Sequence, residues 1–207
     1  SCAEVNVLIS GVPMGNYLVR PSTSLVAKYA VDGGPVVIGS NNGAKIVASL
    51  NQWRKRVSTT DWTGITQFIG LPVNQISNKY VFPRYDYSAP LRQYDLIQFA
   101  NLDAVSRDIT VTIGTQTNIY TVGASQSSNV KYSGLQGGPI VVSSDPGAKI
   151  IASLYELRRD PALPGWNGQN EMMGVPWEQL SNQYIIPNYF GASSPGVFDA
   201  RLFIAVP

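Results

Sequence analysis

Apolar residues in this chain fall in short runs, and many of them alternate with polar positions. Val36-Val37-Ile38 and Ile140-Val141-Val142 are β-branched runs that each follow Gly-Gly-Pro, and such side chains suit a pleated, half-buried surface. Asn41-Asn42-Gly43 and Asp145-Pro146-Gly147 come next and carry turn chemistry. Each sits between two apolar runs, which predicts a hairpin with return strands over 44–50 and 148–154. In the first return strand Ile46, Ala48 and Leu50 alternate with Lys45, Val47 and Ser49, the period of two that a strand requires. Pro72-Val73-Asn74-Gln75-Ile76 and Pro176-Trp177-Glu178-Gln179-Leu180 predict one helical turn each. Proline opens both, where its fixed φ and missing N–H do no harm. A last strand is predicted over 79–83 and again over 183–187.

The elements come in pairs because the chain repeats itself. Gly33-Gly34-Pro35 through Tyr85 aligns without gaps to Gly137-Gly138-Pro139 through Tyr189, a constant separation of 104. Roughly 40% of the aligned residues are identical, a level of self-similarity that marks a structural repeat. Trp62 matches Trp166, Tyr80 matches Tyr184 and Tyr85 matches Tyr189. Upstream, Val7-Leu8-Ile9 falls opposite Val111-Thr112-Ile113. The first copy therefore occupies 1–87, the second 88–191, and 192–207 forms a tail. About seven short strands in about 100 residues predicts an immunoglobulin-like sandwich. The expected fold is all-β, with two tandem immunoglobulin-like β-sandwich repeats and a C-terminal donor strand.

The ends of the repeat are unequal. The second copy opens with Ser88-Ala89-Pro90 and the strand-like run LRQYDLIQFAN over 91–101, and the same step backwards leads to positions before Ser1. The first sandwich is thus expected to lack its opening strand. Beyond the second copy, Ser193-Ser194-Pro195 leads into GVFDARLFIAVP. With one inserted residue this tail aligns to the opening strand, Leu202 on Ile97 and Ile204 on Phe99. Phe198, Ala200, Leu202, Ile204 and Val206 form one apolar face of it, as in a half-buried strand. An empty strand position exposes unpaired backbone and core. Burying five such side chains, at roughly 1.5 kcal/mol or more each, favours filling it.

Composition narrows the chemistry. Of 207 residues 44% are apolar and 14% are charged, well under the usual share of about 25%. With 19 Gly and 14 Pro, the chain leans toward a turn-rich, extracellular all-β protein. A net charge of +2 is too small to imply nucleic acid or an acidic membrane, and Arg54-Lys55-Arg56 reads as a solvated strand end. The chain opens at Ser1 and has no apolar run of about 18 residues. The expectation is a soluble chain, processed or cut from something longer. The single Cys2 excludes a disulfide within the chain; it reads as a small apolar residue at a chain end, or else as a link to another chain.

The sequence holds no histidine, which removes the commonest general base and metal ligand. Ser-His-Asp and Cys-His arrangements are impossible. No acidic residue keeps its identity between the aligned cores: Asp61 faces Gly165, Glu171 faces Gln67 and Glu178 faces Asn74. Asp103 and Asp108 are too sparse for calcium. The expectation is no enzyme, no cofactor and no metal. Trp62, Trp166, Tyr80, Tyr85, Tyr184 and Tyr189 read as core or corner residues. Trp53 and Trp177 are not repeated, and are the candidates for an interface or a ligand.

Gly-Gly-Pro, Ala-Ser-Leu, Met173-Gly174-Val175-Pro176, Gln179-Leu180-Ser181 and Tyr-x-x-Pro-x-Tyr resemble the repeats of large secreted bacterial surface proteins. That resemblance implies a β-sandwich outside the cell. The pairing of a missing strand with a spare one resembles the logic of donor-strand-assembled pilins. In those the usual donor is N-terminal, and here it is C-terminal. Together these features point to a structural subunit of an extracellular filament, partnered by copies of itself, with neither nucleic acid nor membrane insertion. The alternative is a monomeric spacer, or an adhesive module that binds surface polysaccharide.

Overall fold

A computed structural model of the chain describes residues 2–55, 62–87, 93–158, 168–186 and 202–207. Among them the regular structure is strand, apart from the two proline-led turns, which are 3-10 turns at Val73–Gln75 and Trp177–Gln179. The first half carries β1 (Ala3–Ile9), β2 (Val12–Val19), β3 (Val36–Ser40), β4 (Ser49–Lys55) and β5 (Trp62–Ile69). Two short strands follow, β6 (Lys79–Phe82) and β7 (Tyr85–Asp86). The second half carries β8 (Gln93–Asn101), β9 (Arg107–Ile113), β10 (Gln116–Val122), β11 (Ser127–Val130) and β12 (Gln136–Gly137). It ends with β13 (Ile140–Ser143), β14 (Ile150–Arg158), β15 (Gly168–Met173) and β16 (Val175–Pro176).

The separation of 104 seen in the sequence recurs in the strands. Ala3–Ile9 becomes Arg107–Ile113, and both copies pair with the strand that follows in a tight antiparallel hairpin. Gly34-Pro35 and Gly138-Pro139 are both cis. The turn after β3 differs from expectation in what it joins. β3 lies in a sheet with β1, whereas β4 pairs with β5. Likewise β13 pairs with β9 and β6, whereas β14 pairs with β8 and β15. The turn at Gly43 and Gly147 therefore carries the chain between sheets rather than closing a hairpin. Both glycines hold the left-handed conformation, at φ 72° and 83°, which residues with a Cβ rarely adopt.

In the second half two sheets close on one core. A five-stranded sheet of order β10-β9-β13-β6-β16 faces a four-stranded sheet of order β11-β8-β14-β15. Alternate residues of β9 and β13 point inward, so Ile109, Val111, Ile140 and Val142 are buried beside Ile97, Phe99, Ile150 and Leu154. This is the sandwich-like, all-β arrangement in which each sheet buries one face. Its core also holds Tyr80, Phe82 and Tyr85. Those residues belong to the first copy of the repeat, yet β6 lies hydrogen-bonded between β13 and β16, and β7 pairs with β12. The division at 87/88 is a boundary in sequence; in space β6 and β7 join the second half.

The first half is arranged differently. Among the described residues it forms a three-stranded sheet, β2-β1-β3, and a separate two-stranded sheet, β4-β5. Ala3, Val5 and Val7 of β1 are buried. Val36, Val37 and Ile38 of β3, Leu50 of β4 and Ile65 and Ile69 of β5 are exposed.

Candidate functional site: a subunit interface

β8 is the strand to which the tail aligns in sequence. It lies between β11 and β14, with Leu154 opposite Ile97, Ala152 opposite Phe99 and Val130 opposite Ile97 on the other side. Every second side chain turns inward, so Gln93, Asp95, Ile97, Phe99 and Asn101 are buried. With the one inserted residue, these five positions correspond to Phe198, Ala200, Leu202, Ile204 and Val206. The apolar face of the tail is thus in phase with the buried face of β8. Phe198 and Ala200 lie outside the described residues. Leu202, Ile204 and Val206 are described, form no strand, and are exposed, Ile204 at 89%.

The segments that correspond to the neighbours of β8 pair differently among the described residues. β14 has β8 on one side and β15 on the other, whereas β4 pairs with β5 alone among the described residues. β11 pairs with β8, whereas the matching residues 23–26 form no strand, and Leu25 and Val26 are exposed. Of the two flanks that hold β8 in the second half, the first half thus has one as a strand, β4, and the other as the stretch 23–26 without strand pairing among the described residues; Leu25, Val26 and Leu50 are exposed on them.

A polar lock fixes the start of β8, built from residues that no pattern in the sequence singles out. Asp95 is 0% exposed. Its carboxylate accepts hydrogen bonds from the Asp86 backbone N–H at 2.7 Å and from Gln93 Nε2 at 3.1 Å. Gln93 Nε2 also donates to Glu156 at 2.6 Å, and Arg84 pairs with both Glu156 and Asp86. Burial pushes the Asp95 carboxyl up to about 6, against the opposing pull of its hydrogen bonds from Gln93 and the Asp86 N–H. Tyr85 Oη donates to the Asp95 carbonyl at 3.0 Å and accepts from Tyr132 N–H at 2.6 Å. The tail has Ala200 at the position of Asp95. Arg84 also stacks over the ring of Phe203, 4.0 Å from its centroid, on the face of the tail opposite Leu202 and Ile204.

The remaining candidates are dispersed. Trp53 lies exposed on β4. Trp177 is 37% exposed, but Lys79 Nζ covers one ring face at 3.2 Å from the centroid. Tyr80 and Tyr85 are core residues and Tyr184 is exposed; Trp166 and Tyr189 lie outside the described residues. Asp103 is bound to Arg107 Nε at 2.7 Å, and Asp108 accepts from Thr121 Oγ1 at 2.6 Å. A cleft of about 370 Å³ lies between the two 3-10 turns and the Gly147 loop, lined by Ser77, Asn78, Lys149 and Glu178 among others. Ser77 Oγ donates to Glu178 there at 2.8 Å. Among the described residues no group of three His, Cys, Asp or Glu could hold a metal ion, and no helix is long and apolar enough to cross a membrane.

Within the chain, then, the likeness that carries information is that of one half to the other. No protein-family model matches this chain, and no curated protein or solved structure is significantly similar to it.

Proposed function

We propose that the chain is a structural subunit of an extracellular, pilus-like filament of tandem immunoglobulin-like β-sandwiches, polymerising head to tail through its C-terminal strand. In this reading Phe198, Ala200, Leu202, Ile204 and Val206 of one subunit enter the first half of the next. The strand lies between residues 23–26 and β4, as β8 lies between β11 and β14. The register of β8 carries over, so that Leu202 faces Leu50 and Ile204 faces Ala48. The observation that carries the proposal is the match in phase between the apolar positions of the tail, of which Leu202, Ile204 and Val206 are exposed, and the buried face of β8, in a chain where β4 pairs with β5 alone among the described residues.

The contact joins different surfaces on the two copies. Such a heterologous contact propagates unless its rotation closes a ring. It is β-strand addition, with backbone hydrogen bonds giving affinity and alternate side chains giving specificity. Negative-stain electron microscopy of the purified chain at high concentration tests it. Uniform filaments with an axial repeat near the length of two sandwiches are expected. Monodisperse particles of a single chain's mass would overturn it and leave a self-complemented tandem module.

A further inference from the structure

The tail is one of two segments that repeat a strand of the second half in sequence and whose described residues form no strand. Residues 181–186 repeat 77–82 in sequence, and 181–184 repeat the hydrogen bonds of the turn at 77–80. Ser77 N–H donates to Tyr80 Oη at 3.1 Å, and Ser181 N–H donates to Tyr184 Oη at 3.1 Å. Lys79 N–H donates to Ser77 Oγ at 3.0 Å, and Gln183 N–H donates to Ser181 Oγ at 3.1 Å. The turn that launches β6 is thus formed in both copies. After it, Tyr80, Val81 and Phe82 are buried within a sheet, whereas Tyr184, Ile185 and Ile186 form no strand and are exposed. Three consecutive large apolar residues exposed together form a patch of the kind that marks an interaction surface.

The partner of β6 is duplicated too. β13 pairs with β9 on one side and β6 on the other. Its counterpart β3 pairs with β1 and, among the described residues, has no strand paired to its other edge. Val36, Val37 and Ile38 are exposed there. Gly174 shows how closely β6 is packed: a Cβ there would lie 2.8 Å from Phe82 Cζ and 2.9 Å from Tyr80 Cβ. At the corresponding Gly70 the nearest atom would be Ala48 O at 3.6 Å. The glycine gap is kept, and among the described residues no strand like the aromatic β6 fills it in the first half.

We infer that each subunit donates two strands to the next, residues 183–186 to the free edge of β3 as well as the tail to the edge of β4. The inference rests on the head-to-tail reading and adds a second, separately testable contact in the other sheet. The occupant is a second copy of this chain, because 183–186 is the segment that repeats β6. The pairs Ile140–Phe82, Val141–Val81 and Val142–Tyr80 set the register: Val36 faces Ile186, Val37 faces Ile185 and Ile38 faces Tyr184. One sandwich would then be completed in both of its sheets by the polypeptide leaving the previous subunit.

Cross-linking between single-cysteine chains tests this, with Cys2→Ser as the background. Chains carrying Val37→Cys and Ile185→Cys are mixed, assembled and oxidised. The adjacent pair Ile38→Cys with Tyr184→Cys is run in parallel, since neighbouring antiparallel pairs differ in spacing. Leu50→Cys with Leu202→Cys reports the tail alone. Disulfide-linked dimers of the first or second pair, together with the third, are the expected result. Dimers of the third pair only would overturn the second strand and leave tail donation standing. No dimers from any pair would overturn both. A chain bearing both Val37→Cys and Ile185→Cys that closes its disulfide at monomer mass would overturn donation between subunits.

Discussion

Tyr80 and Tyr184 each accept a hydrogen bond from the backbone N–H three residues earlier, at 3.1 Å in both cases, yet Tyr80 is 0% exposed and Tyr184 is 60% exposed. Equal local structure with unequal burial means that the turn is encoded locally, whereas the burial depends on a partner sheet. In one copy β13 supplies that sheet. In the other no strand among the described residues supplies it; the proposed second donation would place Tyr184 on the edge of β3, which repeats β13 in sequence.

Removing 195–207 is expected to abolish polymers while leaving the second half folded. The core cluster of the second half draws on residues 80–154, with Leu71 and Met172 at its margin, and on none of the described tail residues. Electron microscopy and the thermal transition, measured on the same preparation, check both halves of the statement. Ile204→Asp is the milder version, placing a charge on the face that is to be buried, where an unpaired carboxylate is costly. Filaments that persist in either variant would contradict tail donation.

Gly70→Ala and Gly174→Ala separate stability from assembly. The new methyl at 174 strikes Phe82 and Tyr80, and overpacking of this kind costs about 1–3 kcal/mol. At 70 the methyl meets only Ala48 O at ordinary contact distance, so the isolated chain should melt as the parent does. If Tyr184 and Ile186 of a neighbour fill that gap, Gly70→Ala raises the concentration needed for assembly. Denaturant unfolding and sedimentation read the two effects apart. Unchanged assembly of Gly70→Ala would count against the second strand.

Stability should fall as pH rises between about 4 and 6. Asp95 has an ordinary value of 3.8, raised to about 6 in the folded chain by burial. The folded state therefore holds this proton over a range in which the unfolded state has lost it. Its contribution is fully present below the unfolded value and is lost through the folded one, at most about 3 kcal/mol. Burial raises Glu171 as well, in the same direction. Denaturant midpoints measured from pH 4 to pH 7 test the sign, and Asp95→Asn should flatten the slope.

Tyr85→Phe removes the hydroxyl that joins the Asp95 carbonyl to Tyr132 N–H. Both groups lose a buried partner, at a cost of about 1–3 kcal/mol. The ring is kept, so a loss of stability seen by denaturant unfolding reports the hydrogen bonds rather than packing. An unchanged midpoint would show that water replaces the hydroxyl.

Much of the local structure is legible in the sequence, because its determinants are local. The β-branched runs became β3 and β13, the proline-led segments became 3-10 turns, and the glycines of the two sheet-crossing turns hold left-handed backbone. The repeat length is a sequence property and recurs in strand positions. Partner choice was not legible. The turn at Gly43 reads as a hairpin because sequence shows two flanking apolar runs, but which sheet each run joins depends on residues far along the chain. Nor was it visible that β6 leaves the first copy to pair with β13, or that Arg84, Gln93, Asp95 and Glu156 meet. By itself the sequence determined periodicity, turn chemistry and the duplication. Tertiary structure decided which edges are paired and which, among the described residues, are not, since backbone hydrogen bonding and apolar burial are settled between strands rather than within them.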